Sequence, residues 1–172
     1  MLISMGAKIY GAGSDEIIIE GVKDLKGTEF YIPADRIEAG TYLAAAAVTK
    51  GDITVNGINP DRLMKVIDKL KEAGAKLDFT ENSISISMKR DYPKPVDITT
   101  APFPEFPTDM QAQFSVINAI SSGRSNIYET VFENRFMHIL ELNRMGCDIA
   151  VQGNHAIING CLLYTSPSPR DY

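Results

Sequence analysis

Leu63, Val66, Ile67 and Leu70 recur at the spacing that lines one face of a helix; the pattern breaks at Gly74 and gives way to two short strand-like runs, 76–79 and 83–88. The same succession occurs three times. The phrase that ends the helix at 70–77 is also found at 2–9 and 142–149, so that Gly6, Gly74 and Gly146 stand 68 and 72 positions apart. Each glycine follows a helical pattern and precedes a strand, the place for a left-handed C-cap that lets the chain reverse. Two strands follow in every copy: 8–10 and 16–20, 76–79 and 83–88, 148–151 and 156–159. Gly-Ser-Asp, Glu-Asn and Gly-Asn-His separate the members of each pair and read as hairpin turns.

The preceding part of each unit repeats as well. Asp35, with Glu38 three residues on, reads as a capping box at the head of an Ala-rich helix that runs to Val48 and is ended by Gly51. A strand at 53–55 follows, and Asn59-Pro60 opens a second helix, with the proline in the first turn, where no N–H is needed. In the next unit Thr108 is expected to cap a helix with Gln111 at its third position. Gly123 ends that helix, 127–130 is a strand, and Glu133 or Asn134 opens the next helix. The order helix, strand, helix, strand, strand over about 70 residues is longer than the roughly 20–50 residues of common solenoid repeats. It predicts a duplicated α/β (α+β) module, with the chain opening on the last part of one copy and stopping inside another. The expected division is 1–33, 34–160 and a tail at 161–172. That tail loses all periodicity and reads as an unstructured, non-native extension, with a natural Ser/Pro-rich disordered tail as the alternative.

Composition narrows the class. With 44% hydrophobic and 23% charged residues the chain can build a core, and a net charge of −5 opposes binding to a nucleic-acid backbone or an anionic membrane. The absence of an apolar run near the roughly 20 residues of a membrane helix, and of a signal-like start, sets the cytoplasm as the expected compartment. Cys147 and Cys161 are too few for a disulfide framework, and Cys147 takes the small apolar position held by Ala7 and Ala75 in the other copies, which suits a buried structural thiol. His138 and His155 match no short metal-ligand spacing, so no metal is expected.

The chemistry concentrates at residues 100–114, TAPFPEFPTDMQAQF. Prolines at 102, 104 and 107 predict a stiff, extended rail delivering Asp109 to a helix start, where free N–H groups favour an ionised carboxylate. By itself such a residue is as well explained as a favourable first-turn acid. Together with ETVFENRFMH at 129–138 and PADRIE at 33–38, however, this segment resembles the UDP-N-acetylglucosamine enolpyruvyl (1-carboxyvinyl) transferase family, and the similarity runs from Met1 to Gly160. The resemblance implies an inside-out α/β barrel fold with three such modules per domain, incomplete here. It also implies transfer of enolpyruvyl from phosphoenolpyruvate to the 3-hydroxyl of UDP-N-acetylglucosamine with release of phosphate, the first committed step of peptidoglycan synthesis, with no cofactor.

By the same resemblance Asp109 is the carboxylate that binds and deprotonates the sugar hydroxyl, and the backbone at Val131 contacts the sugar nucleotide. Phe132 would pack on the sugar ring, and Arg135 would orient Asp109 or balance its charge. Asp35 and Arg36 match family positions too, but a helix cap and a surface charge explain them equally well. The family's catalytic cysteine loop, its lysine and asparagine, and the arginine that grips phosphoenolpyruvate fall outside this sequence. The 172-residue chain is therefore expected to be inactive alone and, with apolar faces unpartnered, to self-associate. Two other readings stand beside this one: the sibling 3-phosphoshikimate 1-carboxyvinyltransferase, and a non-catalytic α/β module.

Overall fold

The computed structural model describes residues 1–88 and 92–160, so the expectations for Cys161 and the tail at 161–172 lie outside the described residues. The chain falls into two compact units, Met1–Pro33 and the part beginning at Ala34. In the first, β1 (Lys8–Tyr10) pairs antiparallel with β2 (Ile18–Glu20), after a turn that Gly6 closes at φ 100°.

The second unit contains two modules. The first runs through α1 (Arg36–Val48), β3 (Asp52–Asn56), a 3-10 turn (Pro60–Leu63), α2 (Met64–Glu72), β4 (Lys76–Thr80) and β5 (Ser83–Ser87). The second comprises β6 (Ile98–Thr99), a 3-10 turn (Thr108–Met110), α3 (Gln111–Ala119), β7 (Arg124–Tyr128), α4 (Met137–Arg144), β8 (Asp148–Gln152) and β9 (His155–Asn159). Their sheets share one plan. β3 and β4 flank β5, all antiparallel, and β7 and β8 flank β9 in the same way, with β6 added parallel to β7.

Local chemistry accounts for the ends of most elements. Asp35 caps α1 by accepting from the Ile37 and Glu38 N–H groups at 2.7 and 3.4 Å, and Asn59 accepts from Asp61 N–H at 2.9 Å ahead of Pro60. Gly74 and Gly146 take φ of 101° and 96°, which satisfies the carbonyls of α2 and α4 and turns the chain into the next strand. Glu81-Asn82 and Gly153-Asn154 form the two hairpin turns.

Four boundaries depart from the sequence expectation. Lys50, not Gly51, adopts the left-handed conformation after α1, at φ 55°, where its ammonium lies 3.5 Å from the centre of the Tyr92 ring. α3 ends at Ala119, short of Gly123. α4 begins at Met137 because Asn134 takes φ 57°, a conformation asparagine tolerates, and breaks the helix that was expected to start there. The 100–107 segment is a turn and not an extended rail. Glu105 N–H donates to the Pro102 carbonyl at 3.1 Å and Ala101 N–H to the Phe106 carbonyl at 3.0 Å, which folds the prolines into a closed loop.

The core lies between the helices and the two sheets. Leu43 and Ala47 of α1, Val66, Ile67 and Leu70 of α2, and Phe114 and Ile117 of α3 are fully buried with Ile84, Ile127 and Ile158 from the strands. Phe106 sets its ring edge against Phe114 at 5.0 Å. At Gly40 of α1, an added Cβ would fall 2.9 Å from the Met110 sulfur, so the glycine leaves the end of the Met110 side chain room to lie against the helix. Asn118 locks the entry to β6, accepting from Val96 N–H at 3.0 Å and donating to the Val96 carbonyl at 2.9 Å. Gly74→Ala should cost about 1–2 kcal/mol in urea unfolding, because L-residues pay roughly that for a left-handed backbone, and Phe114→Ala about 3–5 kcal/mol from loss of the buried ring. Unchanged midpoints would contradict the cap and the core assignment respectively.

Candidate functional site

Strand alternation sends Ser125 and Ile127 of β7 inward, and the next inward position is Glu129, a carboxylate only 2% exposed. An ionised group can be buried only with its lone pairs filled, and here five donors converge. Its Oε1 accepts from Thr100 Oγ1 at 2.7 Å, Val131 N–H at 2.9 Å and Phe132 N–H at 3.1 Å. Its Oε2 accepts from Thr108 Oγ1 at 2.7 Å and Gln111 Nε2 at 3.3 Å. Burial pushes this carboxyl up, but the bonds from Thr108, Thr100, Val131 and Phe132 outweigh it and hold it below its ordinary value of 4.5. Thr100 and Thr130 strengthen the junction: Thr130 N–H donates to Thr100 Oγ1 at 2.9 Å, and the Thr130 hydroxyl to the Thr100 carbonyl.

This arrangement explains two further departures from expectation. β7 ends at Tyr128 because Glu129 and Thr130 turn away to bond Asn154 and Thr100. Thr108 makes no cap for α3, since its hydroxyl proton goes to Glu129 and Gln111 likewise points its amide there. With that proton committed, Thr108 Oγ1 accepts from Arg135 Nη1 at 2.9 Å, while Arg135 Nη2 donates to Asp109 Oδ1 at 2.7 Å. The Arg135–Asp109 pair is partly solvated, with side-chain exposures of 37% and 53%. Coulomb attraction across it is therefore modest, and its value lies in fixed direction.

Asp109, Phe132 and Arg135 line one cavity of about 430 Å3, with Glu133, Asn134, Met137 and His138 completing its wall. The Arg135 guanidinium sits 5.2 Å from the Phe132 ring centre, and that ring is 56% exposed, an open apolar surface beside the charged pair. His138 Nε2 lies 3.2 Å from Ser115 Oγ. Burial lowers the His138 pKa from 6.5; a bond to the Arg135 backbone opposes the shift and the Arg135 charge adds to it.

Three of the four expected site residues thus meet at one cavity. Val131 stands apart from its lining: its N–H is spent on Glu129, which leaves its carbonyl as the backbone group able to face a ligand. Asp35 serves as the α1 cap, and Arg36 lies 5.4 Å over the exposed Phe103 ring. Cys147 is buried. Sequence reasoning gave Glu129 and His138 no role in the site and Thr108 only that of a helix cap. The signal for Glu129 was available, since an acid at an inward strand position two residues beyond Ile127 must find donors.

The two shifted groups set a pH dependence. His138 is harder to protonate folded than unfolded, so stability is complete above 6.5 and declines as pH falls through that value. Glu129 stays ionised in the fold below 4.5, so its contribution is present above that pH and is lost as pH falls through its lower folded value. Unfolding free energies measured between pH 8 and 3 should show both declines. His138→Gln should remove the first and Glu129→Gln the second; a His138→Gln profile identical to the parent would refute the assignment.

Relatives and solved structures agree on the family. The family described as EPSP synthase (3-phosphoshikimate 1-carboxyvinyltransferase) matches residues 1–168. Proteins named UDP-N-acetylglucosamine 1-carboxyvinyltransferase from Hydrogenovibrio crunogenus and Haemophilus ducreyi are 54% and 55% identical over 159 residues, 92% of this chain. The chain spans 38% and 37% of their respective lengths. The enolpyruvyl transferase NikO from Streptomyces tendae superposes with a TM-score of 0.80 at 25% identity, over 92% of this chain and 38% of that one. An EPSP synthase from Acinetobacter baumannii, at 20% identity and a TM-score of 0.64 over 94% of this chain and 39% of that one, shares the fold. The repeated α/β module, incomplete relative to these proteins, is thus an enolpyruvyl-transferase fold, and the chain belongs to the EPSP synthase (3-phosphoshikimate 1-carboxyvinyltransferase) family.

Proposed function

We propose that this chain supplies the sugar-nucleotide side of a site that transfers enolpyruvyl from phosphoenolpyruvate to the 3-hydroxyl of UDP-N-acetylglucosamine, releasing phosphate. The observation that carries the reading is the Asp109–Arg135 pair, 2.7 Å apart, on a cavity whose floor includes the open Phe132 ring. Relatives bearing the UDP-N-acetylglucosamine name at 54–55% identity support this acceptor over shikimate 3-phosphate.

Arg135 engages Oδ1 of Asp109, a residue of the cavity wall, and leaves the second oxygen for a ligand. A sugar hydroxyl bonded to that oxygen can pass its proton to Asp109 as its own oxygen attacks the enolpyruvyl carbon, and a positioned base of this kind contributes about 10²–10⁴-fold. Phe132 offers an apolar face for the sugar ring, and the Val131 carbonyl can accept from the ligand. Arg135 and the partly exposed Asp109 stay in place because both are tied to the same buried carboxylate through Thr108.

The product would feed peptidoglycan synthesis, in the cytoplasm; no helix among the described residues is long and apolar enough to cross a membrane. The 172-residue chain would bind no phosphoenolpyruvate productively by itself, and Met137 and Leu140, 80% and 68% exposed, would draw it into self-association. In a carboxyvinyltransferase of the relatives' full length carrying this segment, phosphate release should depend on UDP-N-acetylglucosamine and not on shikimate 3-phosphate. Asp109→Ala there should lower kcat by about 10²-fold or more with a smaller change in sugar-nucleotide KM. Near-parental kcat in that variant would remove the base from Asp109, and phosphate release by the isolated chain would overturn its expected inactivity.

A further inference from the structure

The two modules allow an internal comparison at the position of Glu129. β3 and β7 are related by 72 positions, as are Gly74 and Gly146, and on that register Glu129 corresponds to Gly57. Both residues make the same backbone bond at the same place: Gly57 N–H donates to the Asn82 carbonyl and Glu129 N–H to the Asn154 carbonyl, each at 2.9 Å. The first module completes its sheet and starts its second helix there with no side chain at all, at φ 82°. The fold of the module therefore has no need of a carboxylate at this point. In the second module it organises the loop that carries Phe132 and Arg135 and the turn that carries Asp109.

We propose that Glu129 is a positioning residue of the transfer site, acting through the Thr108 hydroxyl to aim the Arg135–Asp109 pair. This rests on the reading of Asp109 as the base. The argument is one of donor direction. Thr108 has one proton, and Glu129 Oε2 takes it at 2.7 Å, so a Thr108 lone pair is turned toward Arg135 Nη1 at 2.9 Å. Arg135, held by one nitrogen, can then present the other to Asp109 Oδ1. The order of donors along Glu129, Thr108, Arg135 and Asp109 follows from the first being acceptor-only. The other oxygen of Glu129 fixes the Val131 and Phe132 N–H groups, so the apolar wall of the cavity is set by the same side chain.

A glutamine at 129 cannot satisfy this set. If its oxygen faces the two backbone N–H groups, its NH₂ opposes the Gln111 amide and takes a lone pair of Thr108, whose proton is then no longer held away from Arg135 by an acceptor at 129; the direction of the remaining lone pair is lost. If the amide is reversed, its NH₂ opposes Val131 and Phe132 N–H and the loop must move. Thr108→Val removes the relay at constant shape and leaves four of the five Glu129 donors in place.

The test uses a carboxyvinyltransferase of the relatives' full length carrying this segment, with Glu129→Gln, Thr108→Val, Thr108→Ser and Asp109→Ala. Two readouts are taken: steady-state kinetics with phosphoenolpyruvate and UDP-N-acetylglucosamine, and NMR exchange of the Arg135 guanidinium protons in the absence of substrate. Glu129→Gln and Thr108→Val should each lower kcat about tenfold to hundredfold, the scale expected for misplacement by around an ångström, while sugar-nucleotide KM changes by less. Both should accelerate exchange at Arg135, and Thr108→Ser should restore kcat and slow exchange. Thr108→Val with parental kcat and parental Arg135 protection would overturn the proposal, as would Thr108→Ser failing as badly as Thr108→Val. Because Thr108→Val leaves four of the five Glu129 donors untouched, a poorly folding Glu129→Gln leaves the decision intact. If Asp109→Ala keeps full turnover, the assignment of the base fails, and the Arg135 exchange rates still decide whether Glu129 aims the pair.

Discussion

The carboxylate of Glu129 must be fully hydrogen-bonded wherever the chain buries it, because an unpaired charge away from water costs more than most single contacts return. Its five donors come from four separate places: the residue after β6, the 108–110 turn, the head of α3 and the loop after β7. Sheet pairing joins only the first and the last, through β6 and β7; the 108–110 turn and the head of α3 lie outside it. The side chain thus gives the second module an interior polar junction. Through Thr108 that junction reaches Arg135, which lines the cavity.

That dependence also explains which parts of the structure could be read from the sequence. The glycines at 74 and 146, the caps at Asp35 and Asn59 and the hairpin turns are consequences of one residue and its immediate neighbours, and they fall where spacing and residue type put them. Two of the errors lie at Glu129, the end of β7 and the cap expected of Thr108. Thr108 and Gln111 have the sequence of a capping box, yet both side chains are claimed by a residue 21 and 18 positions away. The proline-rich segment looked extended because proline excludes donors and helices, but the bond between Ala101 and Phe106 and the burial of Phe106 against Phe114 close it. β6, two residues long, carries too little pattern to be seen without its partner β7.

For the site itself, recognition of the surrounding strings found Asp109, Phe132 and Arg135, which share a cavity. The residues that hold them were harder to see. A strand parity argument reaches Glu129, but nothing short of the fold brings Thr100 and Thr108 to it. Val131 illustrates a finer limit, since a backbone assigned to ligand contact has already spent its N–H inside the protein.

The missing Cβ at Gly40 ties the modules together in a way their separate sheets do not. The helix of one module and the turn bearing Asp109 in the other touch through Gly40 and a fully buried Met110, whose side-chain end would have to shift to admit a methyl group. A segment ending before β6, exchanged for a counterpart with a larger residue at position 40, would press on the end of the Met110 side chain in the other half, so the seat of the turn that carries Asp109 is set from across the module boundary.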